Sequence, residues 1–304
     1  MNSKIYPRVF LNKNEEKEIL QGMPWVFDNE ISYIKHRKTE KEEWKNETAA
    51  QCTVPNGEAV EVFSKAGGFL GTGIFNKNSK ITVRIIGTEH ADIIFADTFA
   101  YYEKKVQDAY DLRQMYYTTG DSYRLIFGEA DLIPGLICER FCDENGKVII
   151  VIQFLSMSCD VFRKEILTAI KKICKPDAIF ERSDGAVREK ERLEDVVGWV
   201  DDDFEVVSTS STTTNGSSTN TINTAVVEPV ETTSGFITII ENGIKLGVDI
   251  VNGQKTGYFL DQKFNRAAAA QFCKGKRVLD TFTHTGAFGL NAFKAGAREV
   301  ISVW

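Results

Sequence analysis

Cysteine, histidine, proline and methionine are all scarce in this sequence of 304 residues, which has six, three, six and four of them. Six cysteines are too few for a disulfide-stapled scaffold and predict a reduced, cytoplasmic location, with an organelle as the alternative. No run of about 18 apolar residues occurs, so we expect no membrane-spanning segment and no contact with a membrane. Basic residues are not in excess either, since 37 Lys and Arg stand against 43 Asp and Glu. With a net charge of −6, any contact with nucleic acid must come from a local basic patch.

The few metal-ligating and nucleophilic residues form no recognisable catalytic pattern. Cys138 and Cys142 lie four apart, but no histidine or second cysteine pair is near them, and a zinc site needs about four ligands. His36, His90 and His284 are scattered along the chain. The sequence therefore predicts neither a metal site nor a Ser-His-Asp triad, and we expect the cysteines to serve packing.

Composition and periodicity divide the chain into four parts, which together predict a multidomain α/β and β protein. Residues 1–90 contain short alternating strands with glycine turns, which favours a small β-barrel. Residues 91–200 mix helical and strand periods and predict an α+β domain. Residues 201–234 are polar, and 208–221 consist only of Ser, Thr, Asn and Gly, as in a flexible linker. Residues 235–304 predict a hairpin followed by the β-α-β opening of a doubly wound sheet.

The individual elements follow from the same patterns. A polar run at 37–51 predicts an exposed loop. Helices are expected at 97–113, 160–174, 264–272 and 287–295, and strands at 136–141, 148–154, 178–180, 236–240, 245–250, 277–282 and 300–303.

The most distinctive local pattern is a predicted strand that ends at Asp280 and turns through Thr285 and Gly286 into a helix. In open α/β sheets ligands bind at the carboxyl ends of strands, where helix N-terminal amides point at anionic groups. The loop lacks a G-x-G-x-x-G pattern, so dinucleotide binding is unsupported. A tight turn without function is an equally good interpretation of this segment alone.

A second unusual segment, residues 253–266, mixes small, aromatic and polar residues without periodicity. Here Phe259 could stack on a flat ligand while Gln262 forms a hydrogen bond with it. The alternative is the start of a helix capped by Asp261, and both interpretations can hold at once.

Three arginines, Arg124, Arg182 and Arg188, lie in polar segments that follow or border predicted strands. They could contact RNA phosphates. For any single arginine, a solvated position or a structural ion pair is the more common role.

Taken in order, six motifs resemble the family of ribosomal RNA large-subunit methyltransferases in which a PUA domain precedes a class I S-adenosylmethionine-dependent domain. The motifs are Pro-Trp-Val-Phe at 24–27, Asp-Ser-Tyr-Arg-Leu at 121–125, Leu-Ile-Pro-Gly at 132–135, Glu-Arg-Ser-Asp at 181–184, Thr-Gly-Tyr-Phe-Leu-Asp-Gln at 256–262 and Asp-Thr-Phe-Thr-His-Thr-Gly at 280–286.

The resemblance implies an RNA-binding PUA-like barrel at 1–90, an RNA-associated α+β domain at 91–200, a linker at 201–234 and the first part of a Rossmann-like methyltransferase domain at 235–304. It implies S-adenosylmethionine as cofactor, large-subunit rRNA as partner, cytosine C5 as the acceptor atom, and a homodimer as a possible state. The implied cofactor residues are Phe259, Gln262, Lys263, Asp280, Phe282, Thr285 and Gly286.

The resemblance also implies that the family's Asp-Pro-Pro motif and catalytic cysteine lie beyond Trp304, so no catalytic residue is assigned. We expect on this basis a truncated chain that is inactive alone. Two other functions stay open: an RNA-binding protein without catalysis, and a methyltransferase that acts on a different acceptor.

Overall fold

The computed structural model describes residues 5–37, 39, 41–207 and 235–304. Within these ranges the strands form two large sheets and two strand pairs. The predicted Ser/Thr/Asn/Gly linker at 208–221 lies outside the described residues. No helix in the described ranges is long and apolar enough to cross a membrane.

The N-terminal sheet has seven strands in the order β2-β7-β6-β5-β1-β3-β4. Apolar residues alternate along these strands, so that one face buries side chains such as Val9, Val60 and Val62. Pairing is antiparallel except between β1 and β5. The elements are β1 (Arg8–Leu11), α1 (Glu16–Leu20), β2 (Trp25–Phe27), β3 (Ile31–His36), β4 (Lys45–Glu47), β5 (Ala59–Phe63), β6 (Phe69–Phe75) and β7 (Ile81–Gly87).

The predicted exposed loop at 37–51 is partly wrong. Its residues Lys45–Glu47 form β4, which pairs with β3 in the register Ile34↔Glu47. A three-residue strand of charged and polar side chains has no hydrophobic alternation, so its pairing depends on the neighbouring strand.

The central sheet has the order β13-β12-β11-β10-β9-β8, and α3 and α5 share a core with the apolar face of its middle strands. Asp97 caps α3 by accepting a hydrogen bond from the Ala100 amide at 2.9 Å. The elements are α2 (Ala91–Ile94), α3 (Thr98–Gln114), β8 (Tyr123–Phe127), β9 (Leu136–Cys142), β10 (Val148–Phe154), α4 (Met157–Asp160), α5 (Arg163–Cys174), β11 (Ala178–Ser183), α6 (Ala186–Glu191), β12 (Val196–Val200) and β13 (Val206–Val207).

The predicted strands at 136–141 and 148–154 are present and pair with each other, and both predicted long helices of this region are present. Strand β13 lies within the segment predicted as linker and pairs with β12, so the central sheet extends beyond residue 200.

The C-terminal part begins with a hairpin whose turn residues Asn242 and Gly243 both have positive φ, at 52° and 69°. Such angles fit a type I′ turn, which Asn-Gly favours in a two-residue hairpin loop, and the hairpin expected here is present. Next come a helix and the predicted β-α-β unit with its parallel strand pair. The elements are β14 (Phe236–Glu241), β15 (Ile244–Asp249), α7 (Lys263–Ala270), β16 (Arg277–Thr281), α8 (Ala287–Lys294) and β17 (Glu299–Val303).

One hydrophobic core joins this C-terminal part to the central sheet. Phe141, Val151 and Phe180 of the central strands are buried together with Ile239 and Val248 of the hairpin. The second face of the central sheet is thus covered by the segment that carries the cofactor motifs.

We predict that Gly73→Ala destabilises the N-terminal sheet. A Cβ at Gly73 would lie 2.6 Å from the Arg84 carbonyl oxygen and 2.6 Å from Val83 Cγ1, so the backbone of β7 would have to move. The free energy of unfolding should fall by about 1–3 kcal/mol in urea denaturation followed by circular dichroism. Gly120→Ala is the matched control, because nothing lies within 4 Å of its added Cβ. Equal losses in both variants would contradict the prediction.

Candidate functional site

The loop between β16 and α8 is held by the carboxylate at the end of the strand. Asp280 Oδ2 accepts hydrogen bonds from Thr283 Oγ1 at 2.7 Å and from the Gly289 amide at 2.9 Å. A Cβ on Gly289 would lie 2.9 Å from Ser302 Oγ, so α8 packs very closely on the strand pair. The loop is therefore fixed to the tip of the parallel strands.

The backbone of this loop adopts an unusual conformation. Phe282 and His284 have positive φ angles of 57° and 49°, and Gly286 follows at 75°. Non-glycine residues in the left-handed region cost free energy and cluster at functional sites. Phe282 is 89% exposed, and Thr285 is partly exposed beside it.

The upstream motif reaches this loop through an aromatic contact. The Phe259 ring lies edge-on to the His284 imidazole, with 5.1 Å between centroids. The Lys255 ammonium lies 4.7 Å from the centre of the Phe259 ring. Burial lowers the pKa of His284, and the nearby Arg266 charge lowers it further, which favours the neutral imidazole. The structure thus brings Phe259 and the 280–286 loop together.

A buried hydrogen-bond network holds the backbone of Phe259 in place. Glu241 accepts hydrogen bonds from the Tyr258 hydroxyl at 2.9 Å and from Arg266 Nε at 2.5 Å. Arg266 Nη2 also donates to the Phe259 carbonyl oxygen at 2.9 Å. All three side chains are buried, and Tyr258 and Arg266 follow Glu241 by 17 and 25 residues along the chain. Sequence reasoning missed this network because only the fold brings the three residues together.

The central sheet contacts the 253–266 segment through a second buried glutamate. Glu139 of β9 is fully buried and accepts hydrogen bonds from Thr256 Oγ1 and, at 2.8 Å, from Arg124 Nε. Burial raises the pKa of Glu139, although the neighbouring Arg124 charge opposes this shift. Arg124 Nη2 is also 3.9 Å from Asp261 Oδ1. Arg124 therefore connects the central sheet to the 253–266 segment, and its expected contact with RNA phosphate stays a prediction.

Two other expected cofactor residues, Lys263 and Gln262, have different surroundings. Lys263 contacts the central domain, with its Nζ 2.5 Å from Asp121 Oδ1 and 5.3 Å from the centre of the Tyr117 ring. Gln262 is partly exposed at the start of α7, and its Oε1 accepts a hydrogen bond from Asn265 Nδ2 at 3.0 Å. Lys263 thus links α7 to the central domain.

Two further arginines predicted to contact RNA are engaged inside the fold. Arg182 Nη1 donates to the Gly253 carbonyl oxygen at 2.5 Å. Arg188 is 2% exposed and donates to the carbonyl oxygens of Phe154 and Glu194, and its Nη1 lies 2.9 Å from Asp160 Oδ1. Assigning Arg188 to RNA is wrong in this structure, because its guanidinium does not reach solvent.

A surface that sequence reasoning missed lies on the N-terminal sheet. The positive ends of Arg8, Lys35 and Arg37 lie 5.4, 5.5 and 4.8 Å from the centre of the Trp44 ring. We call these four residues the Trp44 cluster. It borders a pocket of about 570 Å³ that is also lined by Phe63. The available signal was the tryptophan inside the charged run at 37–51.

Comparison with known proteins identifies the two ends of the chain. Residues 9–88 match the family model described as a PUA-like domain, and residues 187–304 match the one described as an S-adenosylmethionine-dependent methyltransferase. The chain therefore combines a PUA-like domain with sequence of a methyltransferase domain whose family uses S-adenosylmethionine. The expected resemblance is confirmed at this level.

Curated relatives sharpen the comparison. The chain is 34% identical over 298 residues to Ribosomal RNA large subunit methyltransferase I of Photobacterium profundum, covering 97% of this chain and 62% of that protein. It is 30% identical to the protein of the same name from Klebsiella pneumoniae, covering 100% of this chain and 63% of that protein. The chain thus spans about 62% of the length of the curated relatives that it matches.

Solved structures agree in fold. A Streptococcus mutans protein described as a SAM-dependent methyltransferase superposes with a TM-score of 0.65 at 19% identity, over 97% of this chain and 62% of that one. A methyltransferase structure complexed with SAH gives the same TM-score, identity and coverage.

We predict that Arg188→Met lowers stability strongly, because it leaves the Phe154 and Glu194 carbonyl oxygens and the Asp160 carboxylate without their donor. The free energy of unfolding should fall by about 2–4 kcal/mol in urea denaturation. Lys190→Met removes a charge from the exposed side of the same helix and should change it by less than about 0.5 kcal/mol. A stable Arg188→Met protein with weakened RNA binding would restore the original assignment.

Proposed function

We propose that this chain supplies the cofactor-binding and RNA-docking parts of an S-adenosylmethionine-dependent methyltransferase that modifies large-subunit ribosomal RNA in the cytoplasm. The proposed domains are a PUA-like RNA-binding domain at 1–90, a central domain from residue 91 to the end of β13 at Val207, a linker at 208–234 and methyltransferase sequence at 235–304. The family matches and the names of the curated relatives support this function.

The observation that carries the proposal is the contact of Phe259 with His284 at the tip of the parallel strands. Ligands of open α/β sheets bind at this edge. An aromatic face, a strand-end carboxylate and a strained loop fit a molecule that has a flat base and a polar, charged tail. When bound, S-adenosylmethionine would supply the methyl group.

The chain's own residues then have separate roles. Phe259 would stack on the cofactor, and Gln262 would hydrogen-bond with it. Asp280 fixes the loop, whose remaining cofactor candidates Phe282, Thr285 and Gly286 would hold the methionine side. We assign Lys263 a positioning role, because its ammonium pairs with Asp121.

The Trp44 cluster supports RNA docking on the N-terminal domain. Its three cations can neutralise phosphates, and an aromatic ring among them can stack on an unpaired base. The cluster also explains how a protein with a net charge of −6 could bind RNA.

The finer proposal, transfer to cytosine C5, rests on the motif resemblance. Cytosine C5 is a weak nucleophile, so such enzymes use a cysteine thiolate that adds at C6 and makes C5 reactive. The resemblance places that cysteine beyond Trp304, and we assign no residue of this chain to the step.

We predict that the chain binds S-adenosylmethionine and that Phe259→Ala weakens binding about tenfold through the loss of stacking. Isothermal titration calorimetry with S-adenosylmethionine measures both affinities. Phe272→Ala is the matched control, since Phe272 is an exposed aromatic residue beyond the end of α7. Equal affinity in the Phe259 and Phe272 variants, or no binding by the unmodified chain, would contradict the assignment.

We predict that Lys35→Gln weakens binding to an unmodified large-subunit rRNA transcript. Loss of one phosphate contact should reduce the slope of log affinity against log salt by about 1, measured by filter binding. Lys13→Gln removes the same charge from an exposed position outside the Trp44 cluster and should leave the slope unchanged. Identical slopes in the two variants would show that the cluster does not dock RNA.

A further inference from the structure

A compact group of metal-ligating side chains lies on the β3–β4 hairpin and in the turn after it, and the proposed function gives none of these side chains a role. His36 ends β3, Glu47 ends β4, and Cys52 follows the next turn. One ligand atom from each lies within 4.8 Å of the others. Sequence reasoning predicts no metal site here, because the three residues are 11 and 5 positions apart and match no common metal-binding spacing.

Burial and hydrogen bonding set this group apart from an ordinary surface ion pair. His36 and Cys52 are only 5% and 2% exposed. His36 Nε2 lies 2.9 Å from Glu47 Oε2, so the imidazole and the carboxylate are already in contact beside the Cys52 thiol. Three different metal-ligating side chains, two of them almost fully buried, therefore meet at one point.

The carboxylate already has the support that a metal ligand usually needs. Glu47 Oε2 accepts hydrogen bonds from the Thr53 amide at 2.8 Å and from Thr53 Oγ1 at 3.3 Å. Such outer contacts orient a ligating carboxylate and hold it in place. The backbone pairing of β3 with β4 also fixes the position of Glu47 relative to His36.

We infer that His36, Glu47 and Cys52 form a zinc-binding site in the PUA-like domain. Imidazole, thiolate and carboxylate are the ligand types that Zn²⁺ takes, whereas Ca²⁺ and Mg²⁺ take oxygen ligands. In a tetrahedral site with bonds of about 2.0–2.3 Å the ligand atoms are ~3.4 Å apart, so shifts of about 1 Å or less would close the group. The Glu47 side chain is one-fifth exposed, which leaves room for a water molecule as fourth ligand.

A zinc ion here would also affect the Trp44 cluster. Trp44 lies between β3 and β4, and the three ligands fasten both strands and the turn after them. Metal binding would therefore fix the hairpin that carries Lys35, Arg37 and Trp44. This consequence depends on the proposed RNA docking, whereas the zinc site itself does not.

The test uses the full chain, freed of metal with a chelator and dialysed. Competition with a chromophoric zinc chelator should give one zinc ion per chain. Co²⁺ in place of zinc should give thiolate-to-cobalt charge-transfer absorption in the near ultraviolet. Cys52→Ser should abolish this band and weaken zinc binding about tenfold or more. Cys273→Ser, at a partly exposed cysteine on the C-terminal part, should leave the band and the affinity unchanged.

Glu47→Gln is a second test that does not depend on whether the Cys52→Ser protein folds. Its amide oxygen can still accept the hydrogen bonds from Thr53, so we expect this variant to fold. This variant should keep its circular dichroism spectrum and bind zinc about tenfold more weakly. No stoichiometric zinc binding, a cobalt spectrum without the thiolate band, or a band that survives Cys52→Ser would overturn the inference. If the chain binds zinc but has the same RNA affinity with and without it, the zinc site stands. Only the proposed effect of zinc on RNA docking at the Trp44 cluster would then be wrong.

Discussion

The buried carboxylate of Glu139 is the contact on which the arrangement of the candidate cofactor site depends. It is shared between Arg124 of the central sheet and Thr256 of the cofactor motif. A buried charge is stable only where charge and hydrogen-bonding partners surround it, and removing one partner leaves a large penalty. The position of the 256–262 loop is therefore set by the central domain as much as by its own domain.

Because of this contact and a shared core, the central domain and the C-terminal part are not structurally independent. The β14–β15 hairpin covers the second face of the central sheet and shares its core. From that base, Glu241 and Arg266 fix the backbone of Phe259, and Asp280 fixes the opposing loop. Both halves of the proposed pocket are thus built on rigid elements before any ligand arrives.

Periodicity predicted most of the helices and strands, because α3, α5 and the long strands bury regular apolar faces. It failed at β4, which has no apolar face, and it missed β3, whose pattern is irregular. The site could be predicted only as motifs along the chain. Lys263 and Arg188 show the limit: a cation in a functional motif and a buried structural cation look alike in sequence, and only the tertiary contacts distinguish them.

The contacts of four arginines bear on where the proposed RNA docking could take place. Arg84, Arg124, Arg163 and Arg266 each pair with a buried glutamate. Such pairs remove equal positive and negative charge from the surface, so they leave the net charge of −6 unchanged while withdrawing the arginines from solvent. A nucleic acid responds to the local field within about 10 Å, so three cations gathered around one tryptophan can attract it despite the net negative charge of the chain. The proposal of RNA docking therefore rests on the Trp44 cluster, whereas these four arginines are engaged in ion pairs with buried glutamates.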